Sequence, residues 1–137
     1  MANYYGQARS SYFKVKDKEV FRAFLDHFGS AVEMIEDDKD KSRVGFLAPE
    51  GIPSTCMPKD DGQEAEEVDF VSELAGHLAD HEVAIMIETG YEKMRYLVGY
   101  AIAINNKKER REIDLAQIYE LAKQLTRKPK RITHAEY

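Results

Sequence analysis

Between Tyr96 and Ile104 the chain alternates without interruption. Tyr96, Val98, Tyr100, Ile102 and Ile104 are bulky, while Leu97, Gly99, Ala101 and Ala103 are mostly small. Successive side chains leave a strand on opposite faces, so a period of two held this long commits the stretch to a sheet with two unlike faces. Small residues let a helix approach closely, which predicts the helices on the small side. Just upstream, Val83-Ala84-Ile85-Met86-Ile87 is continuously apolar. It reads as a central strand covered on both faces and broken by Thr89 and Gly90.

The other elements follow from period and punctuation. Ser11 to Lys16 alternates, with Phe13 and Val15 on one side and Tyr12, Lys14 and Lys16 on the other. Asp17 then stands as an N-cap, Val20, Phe21, Phe24, Leu25 and Phe28 recur at helical spacing, and Gly29 marks the end, so a helix is predicted over 18–28. Ala31 to Glu36 and Val44 to Leu47 read as a hairpin around the charged turn 37–41. Phe70, Val71, Leu74 and Leu78 form the stripe of a second helix ending near Asp80. Arg110 to Ile113 is a short returning strand. Asp114 and Gln117 have capping-box spacing, and Leu115, Ile118, Tyr119, Ala122 and Leu125 predict a buried stripe on a third helix. Ile132 is expected to begin a last edge strand. The order is β-α-β-β-α-β-β-(β)-α-β. It predicts an α+β fold, mainly antiparallel, with helices on one face: a ferredoxin-like split βαβ core plus an extra hairpin and a third helix.

A chain of 137 residues with this pattern fits one domain spanning 1–137. Hydrophobic residues make up 43 % and charged residues 33 %, the balance of a packed core under a solvated surface and not of a disordered chain. No apolar run reaches the ~20 residues that span a bilayer. Met1 to Ser10 is polar and aromatic, unlike a signal peptide. With Cys56 the single cysteine, no internal disulfide can form, and a cytoplasmic location is expected. The net charge is −5, divided as −9 over residues 1–100 and +4 over 101–137. Such a chain repels phosphate on average, so nucleic acid ranks below protein as a partner.

Residues with chemical potential are scattered. His77 and His81 share the i, i+4 spacing of a zinc pair, but no third ligand or catalytic glutamate accompanies them, so a histidine near a helix end is the simpler reading. Cys56 has no evident histidine or asparagine partner. Asp60 to Asp69 holds six carboxylates in ten residues without the spacing or turn glycine of an EF-hand. No GxGxxG, P-loop, serine elbow or CxxC motif occurs. No enzyme, cofactor or metal is therefore expected.

Two surfaces remain as contact candidates. One is the acidic segment Asp60, Asp61, Glu64, Glu66 and Glu67, which suits a basic protein or imitates nucleic-acid phosphates. The other is a sheet face bearing Tyr12, Tyr96 and Tyr100, placed opposite the helices, where aromatics favour a subunit contact. With Lys14 and the basic segment Lys128 to Arg131, that face gives the alternative of a nucleic-acid-binding module. Val98-Gly99-Tyr100-Ala101 is similar to the Gly-aromatic-Ala core of an RNA-recognition-motif signature, but Ile102 stands where an aromatic belongs and the stretch follows helix 2 instead of preceding it.

Three stretches carry a wider resemblance: Ala2 to Ser10 leading into Tyr12 to Asp17, Tyr96 to Asn106, and Ile113 to Ala122. Together they resemble small uncharacterised proteins of bacterial phages and integrating mobile elements. The resemblance implies a non-enzymatic accessory protein that inhibits a host defence system, restriction or CRISPR, by binding a protein or mimicking DNA. The expected partner is a host defence complex or nuclease, with a homodimer as a further candidate and no membrane.

Overall fold

A computed structural model describes residues 4–53, 55–56, 66–92 and 96–133, with the side chains of Tyr4, Thr55, Cys56, Glu66 and Tyr96 left aside. Strand β1 (Tyr4–Ser10) is followed by the short β2 (Phe13–Lys14) and helix α1 (Lys18–Asp26). Asp17 caps α1: its Oδ1 accepts from the Glu19 and Val20 amides at 2.9 and 3.2 Å. Gly29, at φ +59°, opens a 3-10 turn over Gly29–Ala31. Strands β3 (Glu33–Glu36) and β4 (Arg43–Ala48) form the expected hairpin. A separate small ribbon pairs β5 (Thr55–Cys56) with β6 (Glu66–Glu67). Then come α2 (Phe70–Ala75), β7 (Val83–Glu92), β8 (Tyr96–Asn105), β9 (Arg110–Asp114), α3 (Gln117–Lys123) and a 3-10 turn over Pro129–Arg131.

The main sheet is antiparallel throughout, in the order β3-β4-β1-β7-β8-β9, with β2 also on β4, on the side of β1. The step from β1 to β2 is a β-bulge. Arg9 pairs with Leu47 but Phe13 with Val44, so three residues on one strand face two on the other. Ser10 Oγ fills the gap, accepting from the Phe46 amide at 2.9 Å and donating to the Ser11 carbonyl at 2.8 Å. Gly45 opposite is required, because a Cβ there would stand 2.6 Å from the Ser11 carbonyl oxygen.

One face of this sheet carries the core. Val44, Phe46, Ala84, Met86, Ile102 and Ile104 pack in a single cluster with Phe21, Phe24 and Leu25 of α1 and Phe70, Val71 and Leu74 of α2. Phe24 stacks on Phe70 at 5.6 Å, and Phe28 and Phe46 each meet Phe70 edge-on at 5.1 Å.

The α+β class and the antiparallel sheet agree with the sequence reading, but α2 ends at Ala75 instead of near Asp80, and of the expected strand Ser11 to Lys16 only Phe13–Lys14 forms, after an unexpected β1. Four further local expectations also differ. First, β7 is covered on one face only: Ala84 and Met86 are buried, whereas Val83, Ile85 and Ile87 are about half exposed. It also runs on through Thr89 and Gly90 to Glu92, because both remain paired to β1 and β8. Second, the bulky row of β8 faces the helices. Register sets Ile104 beside Ala84 and Ile102 beside Met86, so size is balanced across neighbouring strands and the small row is left outside. Third, no residue of α3 is buried, Ile118 and Leu121 are more than half exposed, and the helix starts on the outer face at Gly99 and Leu115 instead of joining α1 and α2 on one face. Fourth, Ile132 follows a 3-10 turn and lies in no strand.

Candidate interaction surface

The sheet face turned away from α1 and α2 is built by register. Ile87 lies between Arg9 of β1 and Ala101 of β8, and Ala101 lies next to Ile113 of β9. One row along, Ile85 lies beside Ala103, which lies beside Arg111. The result is a ridge of Val83, Ile85 and Ile87, then a furrow of Gly99, Ala101 and Ala103, then a second ridge at Ile113. Towards the end of β7 the Tyr5 and Tyr91 rings meet at 5.7 Å, and Tyr91 is paired with Leu97.

The furrow is also where the chain crosses onto this face. The Leu115 amide donates to the Gly99 carbonyl at 2.9 Å, and the Leu115 side chain lies so close that a Cβ on Gly99 would meet its Cδ1 at 2.8 Å. Asp114 and Gln117 exchange the reciprocal capping bonds expected of them, at 3.1 and 3.2 Å, and start α3 there. Ile118 and Leu121 of α3 are more than half exposed and Leu125 beyond it is 90 % exposed. Between Leu97, Ile113, Leu115 and α3 runs an apolar groove of about 600 Å³.

The exposed large apolar side chains of β1, β7, β8, β9 and α3 together present on the order of 1,000 Å², where the largest apolar patch of an ordinary monomer is roughly 300–600 Å². The edges of the same sheet are protected. β9 is Arg110-Arg111-Glu112-Ile113-Asp114, and β3 begins and ends on glutamate. Charges on edge strands oppose sheet extension. Arg110 turns to the helix side, reaching Asp69 and Ser72 at 3.3 Å, and so ties β9 to α2. The Ser72 amide and hydroxyl, with Arg110 adding to them, hold the Asp69 carboxyl below the usual aspartate range.

The sequence candidates divide. Tyr12 is exposed beside the bulge. Tyr100 is on the opposite side from the one expected: it is half-buried against the helix-side core, opposite Glu88 and Asp114. The parity that puts Ile102 and Ile104 against the helices puts Tyr100 there too. Tyr96 pairs with Glu92 through its backbone, and its side chain lies outside the described residues. Asp60, Asp61 and Glu64 also lie outside them. Glu66 and Glu67 are the two residues of β6, with Glu67 exposed. Tyr12 and Tyr100 are therefore not brought together on one surface. The sequence reading missed Tyr5, Ile85, Ile87 and Ile113. The alternation Tyr5, Gln7, Arg9 against Gly6, Ala8, Ser10 was the available signal for β1.

His77 and Glu88 are engaged in structure. The His77 ring stacks on Phe24 at 4.7 Å and meets Phe21 at 5.9 Å. Burial pushes its pKa below the ordinary histidine value, Glu73 opposes the shift and Lys16 adds to it. His81 is exposed, in the left-handed region at φ +67°. Glu88, buried in the sheet, accepts from the Ile52 amide at 2.6 Å, and Gly51 at φ +99° fits against its carboxylate. Among the described residues no three His, Cys, Asp or Glu side chains are grouped to hold a metal, and no helix is long and apolar enough to cross a membrane. No protein-family model, curated protein or solved structure matches the chain at a significant level.

Proposed function

We propose that this chain is a non-enzymatic protein-association module that works through the outer face of its sheet. The observation that carries the reading is the ridge-and-furrow apolar surface of β7, β8 and β9, continued by α3. It exceeds what an isolated soluble domain ordinarily exposes, while the sheet edges are blunted by charge. The engagement of His77 and Glu88 in packing and backbone support favours a binding role over a catalytic one.

On this reading the face is carried by a ferredoxin-like split βαβ core. It is supported by α1 leading from β2 to β3 while β4 lies between them in the sheet, and by α2 leading to β7 with β1 between β4 and β7. Inhibition of a host defence system is the biological setting implied by the resemblance of the three sequence stretches above. The net charge of −5 weighs against nucleic acid as the ligand.

Photo-crosslinking tests the reading directly. With p-benzoylphenylalanine in place of Ile87, illumination in cells should give protein adducts. The same probe in place of Val20, exposed on α1, is the control. Adducts at position 87 no more abundant than at position 20 would remove the outer face from the proposal.

A further inference from the structure

We infer that the occupant of the outer face is a second copy of this chain, bound face to face; this rests on the association reading above. The argument is one of self-complementarity. The ridge of β7 and the furrow of β8 lie on neighbouring strands at matched heights, since Ile87 is paired with Ala101 and Ile85 with Ala103. A two-fold axis lying in the interface, parallel to the strands and between β7 and β8, exchanges those strands without changing height. It sets Ile87 over the second copy's Ala101 and Ile85 over its Ala103, twice over. Such an isologous contact needs one patch that fits itself, and the ridge of Ile85 and Ile87 beside the open furrow of Ala101 and Ala103 is that patch. It corresponds to the aligned packing of two twisted sheets about 10 Å apart.

The same operation accounts for the periphery. β1 of one copy comes to lie over β9 of the other. The row of Tyr5, Tyr91 and Leu97 continues, on the β9 side, to the point where α3 begins at Gln117. The paired Tyr5 and Tyr91 rings are thereby brought to the groove that Leu97, Leu115 and Leu121 line in the second copy. Ile118 and Leu121, which no described element of their own chain buries, gain a surface to cover them.

The sizes agree. On the order of 1,000 Å² of exposed apolar side chain is available, and a stable interface buries about 800 Å² on each partner. Other occupants fit less well. Arg9 beside Ile87 and Arg111 beside Ala103 flank the face, but its centre, Ile85, Ile87, Ala101 and Ala103, is apolar and suits a protein surface better than phosphate or an anionic lipid surface.

Two measurements on the full chain decide the matter. The first is sedimentation equilibrium over a concentration series. The expected result is a particle of twice 15.7 kDa whose dissociation constant rises at least about 100-fold in Ala103→Arg, which sets an unpaired charge in the furrow. Ile85→Lys does the same from the ridge, and circular dichroism confirms that each variant is folded. The second is the mass of the adduct formed with p-benzoylphenylalanine at position 87. An adduct of two chains, with a dimer lost in both variants, supports the inference. A monomer that crosslinks to a different protein overturns it and leaves the association reading standing. No adduct at all overturns both. A dimer unaffected by either folded variant overturns the face-to-face geometry.

Discussion

Replacing Gly45 by alanine tests the account of the bulge that bends the central strand. The new Cβ would lie 2.6 Å from the Ser11 carbonyl oxygen and 2.7 Å from Ser10 Oγ, and one of these is backbone that cannot rotate away. Forcing a methyl group into a closed site costs about 1–3 kcal/mol. Displacing Ser10 Oγ also takes the acceptor from the buried Phe46 amide, a further loss of about 1–2 kcal/mol. Gly45→Ala should therefore destabilise the fold by roughly 2–5 kcal/mol, a fall in Tm of about 6–20 °C for a chain of this length. Urea denaturation followed by circular dichroism measures it. Ser10→Ala alone should cost about 1–2 kcal/mol, through the lost acceptor. The double variant should fall short of the sum by roughly 1 kcal/mol, because one close contact and one hydrogen bond would otherwise be counted twice. A Gly45→Ala protein within about 0.5 kcal/mol of the parent, or strict additivity with Ser10→Ala, would refute the bulge geometry and its role in the packing of β4.

Two further perturbations have defined outcomes. Because burial lowers the His77 pKa, the unfolded chain binds the proton more readily than the folded one. The stability His77 contributes is complete above its ordinary pKa of about 6.5 and declines as pH falls below it; His77→Gln should flatten that slope in urea titrations run at a series of pH values. Glu88→Ala should leave the Ile52 amide without this acceptor and cost about 1–3 kcal/mol, with faster amide exchange confined to residues 49–53 and their neighbours.

Local punctuation was well written in the sequence. Asp17 as a cap, the 33–48 hairpin and the Asp114–Gln117 exchange all follow from short-range chemistry and all occur as read. The facing of strands was not. The alternation on β8 reveals two faces but not which one the helices cover; that depends on the neighbour, where Ala84 beside Ile104 makes room for the bulky row. The apolar run Val83 to Ile87 likewise looks the same whether its outer half is covered by the same chain or by none of it. β1 escaped notice because Gly6, Ala8 and Ser10, three successive inward positions, are small and give little hydrophobic signal. The placement of Tyr100 followed the error on β8, since a shift of one position moves every side chain of a strand to the other face.

The place of β1 in the sheet also bears on the order in which the molecule can assemble. Ala8 pairs with Ala48 and with Glu88, 40 and 80 residues further along the chain. During synthesis β1 therefore waits with both backbone edges unsatisfied until two separate hairpins, β3–β4 and β7–β8, have left the ribosome and closed on either side of it. Pairings this distant in sequence fold slowly, on the millisecond-to-second scale of sheet-rich domains. The β1 segment, with Gly6, Ala8 and Ser10 on its inward side and Arg9 on the other, is a strand that attracts few wrong partners while it waits.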